Sequence, residues 1–129
     1  MSAVPITIQA LLANVGVTAL VADRVNPGIA PQGGGLPDVV VHLISDEAYE
    51  GLGRTTDMRQ ARVSIEARAR TFTESNKVAE ACIAALKNLR TTILTKRVVF
   101  MKAVTDVSQH ADDASVFQRI TDHYVTYTG

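Results

Sequence analysis

The side chains of this 129-residue chain that could do chemistry are few and scattered. His110 stands near Asp112 and Asp113, and an imidazole with two carboxylates could bind a metal or share acid–base work. No His-x-x-x-His pair and no second ligand cluster accompanies them, so 109–115 reads as a solvated hairpin loop. His42 sits inside the apolar run 39–44, where a hydrogen-bonded core or interface histidine is expected. His123, beside Asp122, reads as a surface residue. Cys82 is the only cysteine and falls on an apolar helical stripe, as a small buried hydrophobe does. A lone cysteine forms no intrachain disulfide and no thiolate zinc site, and it suits a reducing cytoplasm.

The glycine-rich stretches fail as ligand loops. Gly33-Gly34-Gly35 is not followed by Gly-Lys-Ser/Thr, and the next element reads as a strand rather than a helix whose N-terminus could hold an anion. After Gly51-Leu52-Gly53, Thr56 stands where a dinucleotide fingerprint requires its third glycine. No Gly-x-Ser-x-Gly elbow occurs. The sequence therefore calls for no catalytic residue, no metal and no cofactor, and the chain does not read as an enzyme.

Arginine is the one charged type with a pattern. Arg62, Arg68 and Arg70 share a strand face with the single acid Glu66, and Arg54 and Arg59 lie just upstream. Two readings fit. One is a solvated sheet surface paired to acids on neighbouring strands; the other is a surface made for an acidic protein or for passing nucleic acid. Aromatic residues make up only 5% of the chain and do not interleave with these arginines, which argues against a stacking platform for single strands.

The elements that position these residues follow from hydrophobic period. Ile6, Leu11, Leu12 and Val15, then Val17, Leu20 and Val21, predict an N-terminal helix broken near Asn14-Val15-Gly16 and a second short helical piece, together an amphipathic lid. Val25-Asn26-Pro27 reads as a brief extended piece. From Pro27 to Pro37, prolines and glycines predict an exposed loop with few ladder hydrogen bonds, the kind that carries contacts. Asp38 to Ser45 is near-continuously apolar, a strand covered on both faces. Asp46 to Thr56, charged and glycine-bearing, predicts a mobile connection or long hairpin arm and is a second candidate contact loop.

Strict alternation from Arg62 to Arg70 predicts a half-buried strand. The period then lengthens at Val78, Ala79, Cys82, Ile83, Leu86 and Leu89, predicting a helix over about 73–89, with Thr71-Phe72-Thr73-Glu74 as a capping box. Ala81 and Ala84 leave room for the N-terminal helix to approach. Val, Phe, Tyr and Thr enrichment predicts an antiparallel pair over 97–108 and 116–128, long enough to protrude beyond a small core. The fold class is α+β: a single domain over 1–129, with a mixed or antiparallel sheet of about four strands on which an N-terminal and a central helix pack.

Thirteen basic and thirteen acidic side chains cancel, which argues against a protein that grips a polyanion through bulk charge. At 47% hydrophobic the chain can bury a sizeable core without staples. No segment approaches the length of a membrane span and no leader pattern opens the chain, so a soluble protein is expected.

The order of features resembles a known family. Leu11-Leu12-Ala13 and 17–25, then Ala30-Pro31-Gln32-Gly33 with Leu36-Pro37, look like the small tail-completion proteins of long-tailed bacteriophages and prophages. Arg62-Val63-Ser64-Ile65-Glu66-Ala67, a helix over 74–89, a strand pair and the closing 119–125 extend the resemblance along almost the whole chain. It is similar in architecture to lambda-type tail terminators. The resemblance implies a structural virion protein, assembled in the bacterial cytoplasm, that caps the tail tube as a ring, commonly a hexamer, and joins tail to head. Its implied partners are its own copies, the tube protein and a neck or connector protein, with DNA only passing through the lumen and no membrane. A head-side neck protein on the same scaffold is the alternative, and a non-viral nucleic-acid or ligand-binding module is a third. The triple glycine after Gln32 departs from the commonest family pattern. Under this reading Gln32, Gly33, Gly34 and Gly35 form one contact, and Arg54, Arg62, Glu66, Arg68 and Arg70 a seam between subunits, where paired charges fix register.

Overall fold

A computed structural model describes residues 3–29, 34–51, 54–110 and 115–128. The chain opens with two helices, α1 (Ala3–Leu12) and α2 (Val15–Val21), followed by the short strand β1 (Val25–Pro27). Pro5 sits in the first turn of α1, where a missing N–H costs nothing. The break between the helices is made by Asn14, whose side chain accepts the Val17 N–H and caps α2. A long hairpin follows, β2 (Asp38–Gly51) and β3 (Arg54–Ala69), then helix α3 (Phe72–Leu86). The chain ends with β4 (Arg90–Ile93), β5 (Lys96–His110) and β6 (Phe117–Thr128).

Among the described residues the strands form one six-stranded mixed sheet in the order β1-β2-β3-β6-β5-β4, all neighbours antiparallel except β1 and β2. The expected four strands are thus corrected to six. The two additions are short edge strands with weak sequence signals. β4 and β5 are joined by the two-residue turn Leu94-Thr95, both at positive φ, as a type I′ hairpin requires. Neither is the Asn or Gly that announces such a turn. β2 also continues past Ser45 to Gly51, so the segment 46–51 is a hairpin arm.

All three helices lie on one face of the sheet. Val39 and Val41, Ala61, Val63, Ile65 and Ala67, Val125, Phe100 and Val98 point inward to them, and Ile6, Leu11, Val17, Val21, Val78, Cys82 and Leu86 close the core from the other side. Thr71 caps α3 by accepting the Glu74 N–H at 3.1 Å, as the capping box predicts. The helix ends at Leu86, short of the expected Leu89, where Asn88 takes the left-handed conformation of a C-terminal cap. Each large side chain in this layer stabilises the fold by about 1.5–3 kcal/mol relative to exposure. Among the described residues no single helix is long and apolar enough to cross a membrane.

The strands outrun the helices. β3 has 16 residues and spans about 53 Å, whereas the 15 residues of α3 span about 22 Å. The β2–β3 hairpin turns at one end of the sheet, and the β5–β6 hairpin turns at the opposite end.

Candidate functional site

The outward face of the sheet carries the charged residues, and its alternation with the buried face follows from the period of two along β3. Arg62 donates from Nε and Nη2 to Asp122 Oδ2 at 3.0 and 2.7 Å and from Nη2 to Thr105 Oγ1 at 2.8 Å. Its guanidinium carbon also lies 5.8 Å from the ring centroid of Tyr124. One step along, His42 Nε2 lies 3.1 Å from Glu66 Oε2. At the end of the row, Arg68 Nε approaches Asp38 Oδ1 at 3.5 Å. That last pair is close enough for Coulomb attraction but misaligned for a hydrogen bond, and both atoms are buried without a hydrogen-bond partner among the described residues. Burial pushes the Asp38 carboxyl above its ordinary range, with Arg68 opposing.

These contacts form a lattice of acid–base pairs across β2, β3 and β6. On these three central strands Arg62, His42 and Arg68 each have an acid on an adjacent strand, so this part of the face is close to locally neutral. This is the paired sheet surface that was one of the two expectations for Arg62 and Arg68.

The other predicted residues are spread over the molecule. Gln32 and Gly33 lie outside the described residues. Gly34 and Gly35 are exposed just before β2, and Gly35 has φ +87°, a conformation that favours glycine. Arg24 Nε donates to Pro37 O at 2.9 Å and binds this loop end to the body, beside Asp38 and Arg68. Arg70 is exposed one residue beyond β3 and makes no ion pair among the described residues. Arg54 opens β3 at the far end, about 46 Å from Arg68 by strand rise, and its side chain is outside the described part. The structure therefore gathers Gly35, Arg68 and Glu66 at one end of the sheet and leaves Arg54 at the other.

One sequence expectation for histidine is corrected. His123 is 1% exposed, not a surface residue, because it points inward from β6 against α3. Its Nε2 lies 3.0 Å from Thr121 Oγ1, and burial lowers its pKa to about 4, with Lys102 adding to the effect. His42, expected as a hydrogen-bonded core or interface histidine, is half-exposed on the outer face and hydrogen-bonded to Glu66, so of the two the core is excluded. His110 is exposed, its ring tilted at 48° against that of Phe117 with centroids 5.8 Å apart, and Asp112 and Asp113 lie outside the described residues. No group of three His, Cys, Asp or Glu able to hold a metal occurs among the described residues. Cys82 is buried, and burial pushes its thiol up to about 12, far from a reactive thiolate.

Sequence reasoning also missed two inward-facing clusters. Asp46 accepts from Arg59 Nε at 2.8 Å and from the Tyr127 hydroxyl at 2.6 Å, which braces the arm where it leaves the helices. Arg119 donates to Asp106 and Glu80 and so ties β5 and β6 to α3. Both join residues 13 or more positions apart, which only the strand register brings together.

The described residues thus offer a lattice of paired charges on the central strands and two hairpins at opposite ends, and among them no cleft is lined by a reactive constellation. Residues 7–126 match the family described as tail completion protein gp17. Among solved structures, a chain from the virion of a native gene transfer agent particle superimposes with a TM-score of 0.69. The two share 17% identity over 98% of this chain and 94% of that one, a likeness of fold. No curated protein matches the sequence.

Proposed function

Because this chain belongs to the tail completion protein gp17 family, whose members are structural components of the phage virion tail and not enzymes, we propose that it caps the tail tube as a ring of identical subunits and joins the tail to the head. The observation that carries this reading is the pair of hairpins turning at opposite ends of one sheet. A joining subunit must touch a component above and another below, and a sheet longer than its helices presents backbone and side chains at both ends. The β2–β3 arm would meet one neighbour and the β5–β6 hairpin, with the 34–35 loop and Arg70 at the same end, the other.

The paired lattice of Arg62, Glu66 and Arg68 suits such a ring. It lies on strands in the middle of the sheet, so it forms a face and not an edge. The part of the face on β2, β3 and β6, whose charges are already matched, would let DNA pass a lumen without holding it there, since each free cation would add a phosphate contact and a salt-dependent affinity.

The test is assembly. Purified protein mixed with the tube protein should give tubes of fixed length bearing a symmetric ring at one tip in electron micrographs, and such tubes should attach to filled heads. Binding to isolated head connectors but not to tubes would replace this reading with that of a head-side neck protein. A monomer that binds neither, yet binds DNA with a steep salt dependence, would replace it with a nucleic-acid module.

A further inference from the structure

The two edges of the sheet are opposite in charge. β2 contains Asp38, Asp46, Glu47 and Glu50 and no Lys or Arg, whereas 87–102 carries Lys87, Arg90, Lys96, Arg97 and Lys102 and no acid. The register sharpens this contrast. Following partners across the sheet, Glu47 pairs with Gln60, Gln60 with Thr126, Thr126 with Val99 and Val99 with Arg90. Partnered residues share a face. One cross-sheet row therefore begins with an exposed acid on β2 and ends with an exposed base on β4, both on the outward side. Neither Glu47 nor Arg90 makes an ion pair among the described residues.

The backbone of the two edges is complementary as well. Four successive antiparallel pairings make β4 run parallel to β2. β2 already accepts a short parallel partner, since β1 pairs with Val39, Val40 and Val41. Beyond Val41, among the described residues, no strand lies on that side of β2, and none lies on the far side of β4. A four-residue β4 from another copy fits in line with β1, along the open length of β2.

We propose that β4 of one copy adds to the open edge of β2 in the next copy, parallel to it and collinear with that copy's β1, with Arg90 of the first paired to Glu47 of the second. The contact is heterologous, so it propagates head to tail and closes into a ring when the rotation allows. Main-chain hydrogen bonds supply affinity and the opposed charges fix register. Edge charges of one sign would instead keep copies apart. This inference rests on the ring reading above and names the seam that such a ring would use.

Charge reversal and cross-linking test the seam. Glu47→Lys and Arg90→Glu should each weaken self-association at least about tenfold, because each sets like charges against one another. The double variant, or an equimolar mixture of the two single variants, should restore it, as measured by native mass spectrometry and light scattering. Thermal melts of the same variants should match the unsubstituted chain, because both residues are exposed. Oxidation of a Glu47→Cys, Arg90→Cys chain should give disulfide-linked multimers, since adjacent strands bring Cα atoms within disulfide reach and Cys82 is buried. Single variants that assemble like the unsubstituted chain, a double variant that stays apart, or a cysteine pair that does not cross-link would each overturn the seam and leave the ring standing. An unsubstituted chain that remains monomeric even on tube tips would remove the ring and the seam together.

Discussion

The two faces of β3 are built on different physics. Ala61, Val63, Ile65, Ala67 and Ala69 point inward and are buried against the helices, while Arg62, Glu66 and Arg68 point outward and are held by acids or a histidine on neighbouring strands. The inner face contributes by removal of apolar surface from water, roughly in proportion to area and with little regard for orientation. The outer face contributes through pairs whose attraction is offset by desolvation, so its net effect on stability is small and its effect on register and on what may touch the surface is larger. A strand can therefore fix the fold with one side and leave the other free for assembly.

The sharpest way to test that contrast is to truncate one residue on the inner face. Ile65→Ala removes a fully buried side chain between Val41 and Thr121 in the ladder, and about 3 kcal/mol of stability should go with it in a denaturant melt. A loss below about 1 kcal/mol would mean that the inner layer repacks freely and that burial is not what separates the two faces.

A polar residue on the inner side gives a second test, through pH. His123 has a folded pKa lowered to about 4, whereas an unfolded histidine titrates near its ordinary 6.5. Above that ordinary value both states are neutral and the residue contributes no pH dependence. As the pH falls toward 4 the unfolded chain binds a proton that the folded chain does not, so stability falls, by on the order of 3 kcal/mol across the window. His123→Gln should flatten this acid limb in urea melts recorded between pH 7 and about 4. An unchanged limb would assign the acid sensitivity to other groups.

The inner layer was legible in sequence because it is periodic. Alternation over 62–70, the helical stripe through Val78, Cys82 and Leu86, and the Thr71 cap each leave a local signal, and the corresponding elements stand there, the helix ending early at Leu86 and the strand beginning earlier at Arg54. Of the two edge strands, β1 left only a brief extended signal over Val25-Asn26-Pro27 and β4 left none. β4 is joined to β5 through Leu94-Thr95, a positive-φ turn without turn residues, and β1 is three residues long and gains its identity only from β2. The outer lattice was half legible: the arginines announced themselves, but their partners Asp122, Thr105 and Asp38 are 60, 43 and 30 positions away and are assigned by register alone. His123 misled because its neighbour Asp122 points to the opposite face, and a strand turns adjacent residues to different environments.

On the outer face the expected effects shrink. Asp122→Ala leaves the Arg62 guanidinium, two-thirds buried, without its carboxylate, and a loss of about 2 kcal/mol is expected, less if water reaches the site. The Asp38–Arg68 pair should behave differently, because it carries desolvation without a hydrogen bond at its closest atoms. Replacing both partners together, Asp38→Leu with Arg68→Met, removes a buried carboxyl and a partly buried guanidinium with their unfilled hydrogen-bonding atoms. The double variant should melt within about 1 kcal/mol of the unsubstituted chain or above it, as buried pairs replaced by apolar groups commonly do. Should it lose as much as Ile65→Ala, the pair would be a structural clamp for the start of β2. If instead it melts normally but no longer completes tails, the outer lattice is present for assembly, and the division of labour between the two faces of β3 holds at its most demanding point.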